Sequence, residues 1–283
     1  MEFVGGQAVI EGVLIKGKDK IAIAVREPSG NIKIKEEISK TITKKYKILG
    51  LPIVRGVIIL VETMIIGFKA LNYSAAVSIE EEEEKMGTGT LLFTLFTSLV
   101  LALLLFKMLP LGIAEFASIF SSWFDNRFLF NFTEGLVKII ILVLYIFAIG
   151  QMKDVRRVFQ YHGAEHKVVN AFENKDLDNV SKYSTIHVRC GTSFILFVLG
   201  LSIIVYLFLP VDISFFSKYA LRLLLLPLIA GLAYELIKIS PKYDKYFWFK
   251  ALMSPGLALQ KLTTREPDEK QIEVAMAALK RVI

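Results

Sequence analysis

The sequence predicts a mainly α-helical, polytopic membrane protein with four transmembrane helices, a small N-terminal cytoplasmic β-rich module and interfacial amphipathic helices. Three observations carry that expectation. Of the 283 residues, 54% are hydrophobic and only 22% charged, a composition too apolar for an ordinary soluble domain. The apolar residues are bunched into four stretches, about 87–109, 135–152, 191–209 and 219–237, each close to the roughly 20 residues that cross a bilayer as a helix. Alternating, β-branched runs, by contrast, fall within residues 5–38.

The first segment, residues 1–50, is read as the β module. KIAIAVR and IKIKEEI alternate or carry β-branched runs on either side of the turn PSGN, the pattern of strands with one packed face. In GGQAVIEGV, Gly5, Gly6 and Gly12 surround Glu11. They are read as bulges in a strand, with close approach of backbone to a ligand as the alternative. The stretch lacks the basic head and unbroken apolar core of a secretory signal, so residues 1–86 are expected in the mature protein.

Residues 51–86 follow as an interfacial helix and an acidic linker. In LPIVRGVIILVETMIIGFKALNYSA, Arg55, Glu62 and Lys69 recur every seventh residue and fall on one stripe. An apolar helix with one charged stripe suits the membrane surface or a protein groove better than a full crossing. A fifth span is the alternative; it would carry the basic β module to the outer side. EEEEEK at 80–85 reads as a solvated like-charge run.

The membrane domain is placed at 87–240. Its first and third spans are uncharged until Lys107 and Asp212, near their ends, and the second and fourth carry Lys138, Arg222 and Glu235, within reach of an interface by snorkelling. The middles of the spans are expected to be nearly devoid of polar groups. Residues 241–283 close the chain. Tyr243, Tyr246, Phe247, Trp248 and Phe249 mix with lysine as in an interfacial belt. PDEKQIEVAMAALKRVI has acids early and cations late, as a terminal amphipathic helix should. Thr263, Thr264 and Arg265 in KLTTREPDE form a turn before Pro267, or hold a phosphate or carboxylate through hydroxyls and guanidinium.

Lysine and arginine are concentrated before the first span, in loop 153–190 and in the tail, whereas the other two loops carry only Arg127 and Lys218. The positive-inside rule then puts both termini and the central loop in the cytoplasm, in a cell inner membrane. The net charge of +7 is met by basic loops facing an anionic leaflet, so the partner is the lipid bilayer and no nucleic acid is implied. The single cysteine, Cys190, excludes an internal disulfide.

Chemistry is concentrated in YHGAEHKVVNAFE, residues 161–173. His162 and His166 are four apart, so on a helix they project from one face at a spacing that reaches one zinc-sized ion. With Glu165 they form H-x-x-E-H, the inverted zinc-protease signature, in which the glutamate is a general base. The cofactor expected is a divalent metal ion, zinc foremost. A catalytic zinc usually takes three protein ligands, and the third is left open among His187, Cys190 and Glu235. Gly163 counts against the helix by about 1 kcal/mol relative to alanine.

GGQAVIEGV, YHGAEHKVVNAFE, HVRCGTSF and LTTREPDEKQIEVA, in this order, resemble the YqhQ-like family of bacterial membrane proteins, which is of unknown function and predicted to be metal-dependent. The resemblance runs from Gly5 to the C-terminus. Carried onto this chain, it marks Glu11, His162, Glu165, His166, Asn170, His187, Arg189, Cys190, Thr264, Arg265 and Glu266. Of these, Glu11, Asn170, Arg189, Thr264 and Arg265 are expected to contact substrate. The function expected is a metal-dependent membrane hydrolase at the cytoplasmic interface, acting on a small-molecule, lipid-linked or peptide substrate. The alternatives are an ion or metabolite transporter with a histidine coordination site, and a scaffold with a structural metal. A homo-oligomer is compatible with each.

Overall fold

The computed structural model describes residues 4–39, 41–44, 46–79, 88–243 and 246–283. The acidic run 80–85 lies outside the described residues. Alternation in the N-terminal segment produces β1 (Gly5–Val9), β2 (Gly12–Lys16), β3 (Lys20–Arg26) and β4 (Ile32–Ile38), an antiparallel meander in the order β1-β2-β3-β4. The β1–β2 register runs unbroken from Gly5↔Lys16 to Val9↔Gly12, so the glycines are not bulges. Glu11 occupies the two-residue turn between them at φ 50°, a left-handed conformation uncommon outside glycine.

The helices are α1 (Val54–Ser78), α2 (Thr88–Leu103), α3 (Leu109–Phe120), α4 (Arg127–Ile149), α5 (Lys153–Glu173), α6 (Gly191–Tyr206), α7 (Phe215–Leu224), α8 (Leu226–Tyr243), α9 (Phe247–Thr263) and α10 (Glu269–Leu279). The two-residue period of the strands gives the sheet two apolar faces. Val13, Ile15 and Ala24 pack with Ala164, Val168 and Ala171 of α5 and with Val274, Ala275 and Ala278 of α10. Leu14, Ile21, Ile23 and Val25 pack with Ala70 and Val77 of α1. The sheet is thus the middle layer of a sandwich whose outer layers come from distant parts of the chain.

Three helical stretches are long and apolar enough to cross a membrane: Leu92–Phe120, Arg127–Ile149 and Phe215–Ile239. The protein is therefore a membrane protein, and three of the four expected spans meet that length among the described residues. The remaining stretch, α6, has 16 residues, about 24 Å at 1.5 Å per residue, against a hydrocarbon core of roughly 30 Å. The first stretch continues past residue 109 because Pro110 sits in the first turn of α3, where its missing N–H leaves no bond unmade. The second starts at Arg127, where the Asn126 side chain accepts from the amides of Phe128 and Leu129 at 2.9 and 3.3 Å and caps the helix.

The expectation that the spans lack interior polar groups is overturned. Lys107, Glu134, Lys138 and Arg222 are all buried and turn towards one another. Lys138 Nζ lies 3.1 Å from Glu134 Oε1, and Arg222 Nε donates to Glu134 Oε2 at 2.7 Å and Nη2 to Asn131 Oδ1 at 2.6 Å. Lys107 Nζ is 3.4 Å from the Tyr206 hydroxyl. Lys107, Lys138 and Arg222 stand 5.7, 4.8 and 5.2 Å from the centre of the Tyr206 ring. Lys138 and Arg222 do not snorkel to an interface, because a carboxylate within reach satisfies them at lower cost than bare hydrocarbon.

Candidate metal centre

The histidine motif is helical over its whole length, in α5. The helix is buried on most sides, including Tyr161, Gly163, Ala164, His166, Val168 and Ala171. Gly163, costly to a helix, has a packing reason: a Cβ there would collide with the Arg265 carbonyl. The chain after α9 crosses α5 at this point, and the Arg265 amide donates to the Phe159 carbonyl at 2.9 Å. That crossing brings the Thr263 carbonyl to His162.

His162 Nδ1 lies 2.9 Å from the Thr263 carbonyl and His166 Nδ1 2.6 Å from the Thr185 carbonyl. A carbonyl only accepts, so each imidazole must be protonated at Nδ1 and carries its lone pair on Nε2. His162 Nε2 then sits 3.2 Å from Cys190 Sγ. One ligand atom from each of His162, His166 and Cys190 falls within 4.8 Å of the others. Donors around a tetrahedral zinc lie about 3.3–3.6 Å apart, given bonds of about 2.0 Å to nitrogen and 2.3 Å to sulfur. Two imidazoles with tautomers set by outer hydrogen bonds, plus one thiol, are the donor chemistry of such an ion. The residues present fit the group.

Cys190 is the N-cap of α6, and its sulfur accepts the Thr192 amide at 3.3 Å. Negative charge on the sulfur, the form in which cysteine binds metal, meets the positive end of the helix there. Burial lowers the pKa of His166, which keeps it neutral and able to ligate. Glu165, three residues from His162, is only 5% exposed, and burial raises its pKa. A carboxyl whose pKa is raised is the kind of group that gives or takes a proton in acid–base chemistry.

His187 is near but otherwise engaged. Its ring centre is 5.8 Å from that of His166, and its Nε2 lies 3.3 Å from Glu173 Oε2, while Arg189 pairs with the same glutamate. Burial lowers the His187 pKa also. Glu235 is not brought to the cluster: both its oxygens receive the Arg55 guanidinium, with Nε 2.7 Å from Oε1. Of His187, Cys190 and Glu235, Cys190 is the one whose ligand atom falls with those of His162 and His166.

Of the residues expected to contact substrate, Arg189 lines the cavity beside the cluster. The others hold the scaffold. Glu11 receives Arg157 and the Tyr161 hydroxyl, the latter at 3.3 Å, tying the β1–β2 turn to α5. Asn170 donates to the Ser184 and Ile186 carbonyls at 2.9 and 3.1 Å, Thr264 to the Gln260 carbonyl at 2.9 Å and Arg265 to the Lys261 carbonyl at 2.8 Å. Four contributors escaped sequence reasoning. Gln260, fully buried, clasps the backbone of His187 through both its amide atoms at 2.9 Å. The carbonyls of Thr185 and Thr263 act through backbone atoms, which leave no mark on residue type. Glu173 had a signal: it is seven residues from His166 and so on the same helical face.

A cavity of about 900 Å³ opens on His162, Glu165, His166 and Cys190, and its apolar walls include Met64, Ile66, Val158, Phe159 and Ile195. Gly6 borders it, and a Cβ there would come within 2.6 Å of the Glu165 side chain. The glycine lets β1 approach a side chain of α5 closely.

Residues 51–283 match the family described as "Protein of unknown function (DUF1385)". The chain is 33% identical over 295 residues to the "Uncharacterized protein YqhQ" of Bacillus subtilis (strain 168), an alignment covering 99% of this chain and 92% of that protein. No solved structure matches.

Proposed function

This chain belongs to the DUF1385, YqhQ-like family, and within it we propose a metal-dependent membrane hydrolase. His162 Nε2, His166 Nε2 and Cys190 Sγ hold a zinc-class ion, and Glu165 is the acid–base group beside it. The observation that supports this most directly is the pair of Nδ1 contacts to the Thr185 and Thr263 carbonyls. They commit both Nε2 lone pairs, and one of these already stands against Cys190. Such an ion supplies Lewis acidity and makes water acidic enough to react near neutral pH. Three protein ligands would leave one position for substrate or water. His162 and His166 bind, the two carbonyls orient them, and Glu165, shielded from bulk water, moves the proton.

The reading includes a topology. α6 serves as a fourth, short span, α1 and α10 lie outside the hydrocarbon, and the basic layer of sheet and α5 faces the cytoplasm of a bacterial inner membrane, following the positive-inside rule. The metal content of detergent-purified protein tests the centre. About one zinc per chain is expected, falling to near zero in the His162→Ala, His166→Ala double variant, as a site stripped of two of three ligands should. Equal, non-zero metal in both would relocate the site.

A transporter is the second reading, supported by the buried Lys107, Glu134, Lys138 and Arg222 between the spanning helices, since ionisable groups inside a membrane commonly mark a pathway. Anion flux into liposomes carrying the protein, lost in Lys107→Met, would favour it over the hydrolase.

A further inference from the structure

The free edge of β1 runs along the cavity that ends at His162, His166 and Cys190. We propose that this edge binds an extended, apolar peptide segment by strand addition and delivers one of its amide bonds to the metal centre. The chemistry rests on the hydrolase reading above; the binding rests on the sheet alone.

β1 pairs with β2 on one side only. The Arg26 amide donates to the Glu11 carbonyl at 2.8 Å and the Gly17 amide to the Lys20 carbonyl at 2.9 Å, which sets the odd-numbered residues from 11 to 17 as those bonded towards β3. Bonded and non-bonded pairs alternate in an antiparallel ladder, so Gly12, Leu14 and Lys16 bond to their partners Val9, Gln7 and Gly5. Gly6 and Ala8 consequently direct their amides and carbonyls outward. Gly6 lies against the Glu165 side chain. Among the described residues, the Gly6 carbonyl and both backbone groups of Ala8 have no partner.

The outward edge is open. Five consecutive residues, Val4 to Ala8, border the cavity; as a strand they extend about 17 Å at roughly 3.3 Å per residue. Gly5 and Gly6 present no side chain, and a Cβ added at Gly5 would meet nothing within 4 Å. Across the cavity stand Met64, Ile66, Phe159 and Ile195, which suit apolar side chains. An acyl chain would fill those walls too, but it has no amide to offer, and covering an unpaired backbone group with hydrocarbon is unfavourable. A peptide satisfies both the walls and the edge, the mode by which exposed sheet edges take extended ligands. Glu165, which lies against Gly6, has its Oε2 3.5 Å from His166 Nε2, so a strand paired there passes the reactive group. Water adds its oxygen to the peptide carbonyl carbon and the C–N bond breaks. One water proton leaves through Glu165 to the departing nitrogen, giving an amine, and the other stays on the new carboxylic acid.

The probe is a fluorescent, capped hexapeptide of alternating leucine and valine, titrated by polarisation against the full chain in detergent, with zinc added and after chelation. Two isomers carry N-methyl groups on alternate amides, one on odd and one on even positions. Strand pairing uses alternate amides only, so one isomer should bind within about threefold of the parent and the other at least about tenfold more weakly. Ala8→Pro removes an outward amide and spares the β1–β2 ladder; it should weaken the parent peptide about tenfold with an unchanged circular dichroism spectrum. No binding, equal binding of both isomers, or binding of oleate alone would overturn the proposal. Zinc measured on the same sample separates the two readings. Absent zinc with register-dependent binding removes only the metal reading, and bound zinc without register dependence removes only this one.

Discussion

The cluster on α5 and the cluster between the spanning helices are both buried and both rich in ionisable groups, yet they are opposite in what they lack. Around His162, His166 and Cys190 the ring donors are already used on the Thr185 and Thr263 carbonyls, leaving lone pairs turned to a common point. Around Glu134 the reverse holds. Lys138 and Arg222 bond to one carboxylate, and Lys107 stands by at the Tyr206 hydroxyl. The first arrangement is short of a cation; the second already has cations in excess and would repel another. Burial alone therefore does not tell the two clusters apart, and the direction of the outer hydrogen bonds does.

That contrast can be broken most severely at the ligands. Removing both imidazoles in the His162→Ala, His166→Ala variant should abolish metal binding while helix content, read by circular dichroism, stays near wild type. Glu134→Leu should do the opposite, leaving zinc content per folded chain unchanged but costing about 3–5 kcal/mol, because it strands buried charges. Thermal unfolding in detergent would show it, and adding Lys138→Met and Arg222→Leu should recover most of the loss. Recovery failing would mean that Glu134 is needed for more than charge.

Gly163→Ala should cost about 1–3 kcal/mol as an overpacking change. It should also weaken metal binding, because the displaced Arg265 backbone carries the Thr263 carbonyl away from His162. An unchanged metal affinity would show that this carbonyl does not position the ring.

The smallest effect is a pH dependence of the metal-free protein. Burial lowers the pKa of His166 and His187 from an ordinary value of 6.5. Their stabilising contribution is present above that value and is lost as pH falls from it towards the folded pKa, by at most about 1.4 kcal/mol per pH unit for each group. Glu165, raised by burial from 4.5, has the opposite sign: its contribution is complete below that value and is lost as pH rises through the folded pKa. Unfolding midpoints of chelated protein between pH 7.5 and 5.5 should fall on acidification, and fall less in His187→Gln.

Sequence by itself determined much of the outline. Apolar runs of bilayer length located three helices because length and composition are properties of a contiguous segment. Two-residue alternation located the strands, and four-residue spacing put His162 and His166 on one face. Period is local physics, and a chain displays it without its partners. What period cannot carry is which distant segment arrives. The third donor was open among His187, Cys190 and Glu235, and only packing brings the start of α6 against α5 and gives Glu235 to Arg55. Lys138 and Arg222 looked like interface anchors because each was weighed against lipid rather than against Glu134. Gly163 counted against its own helix because the Arg265 carbonyl that requires it lies 102 residues further on. Tertiary structure decided these points, since a charge, a lone pair or a missing Cβ acquires its role only from the group placed opposite it.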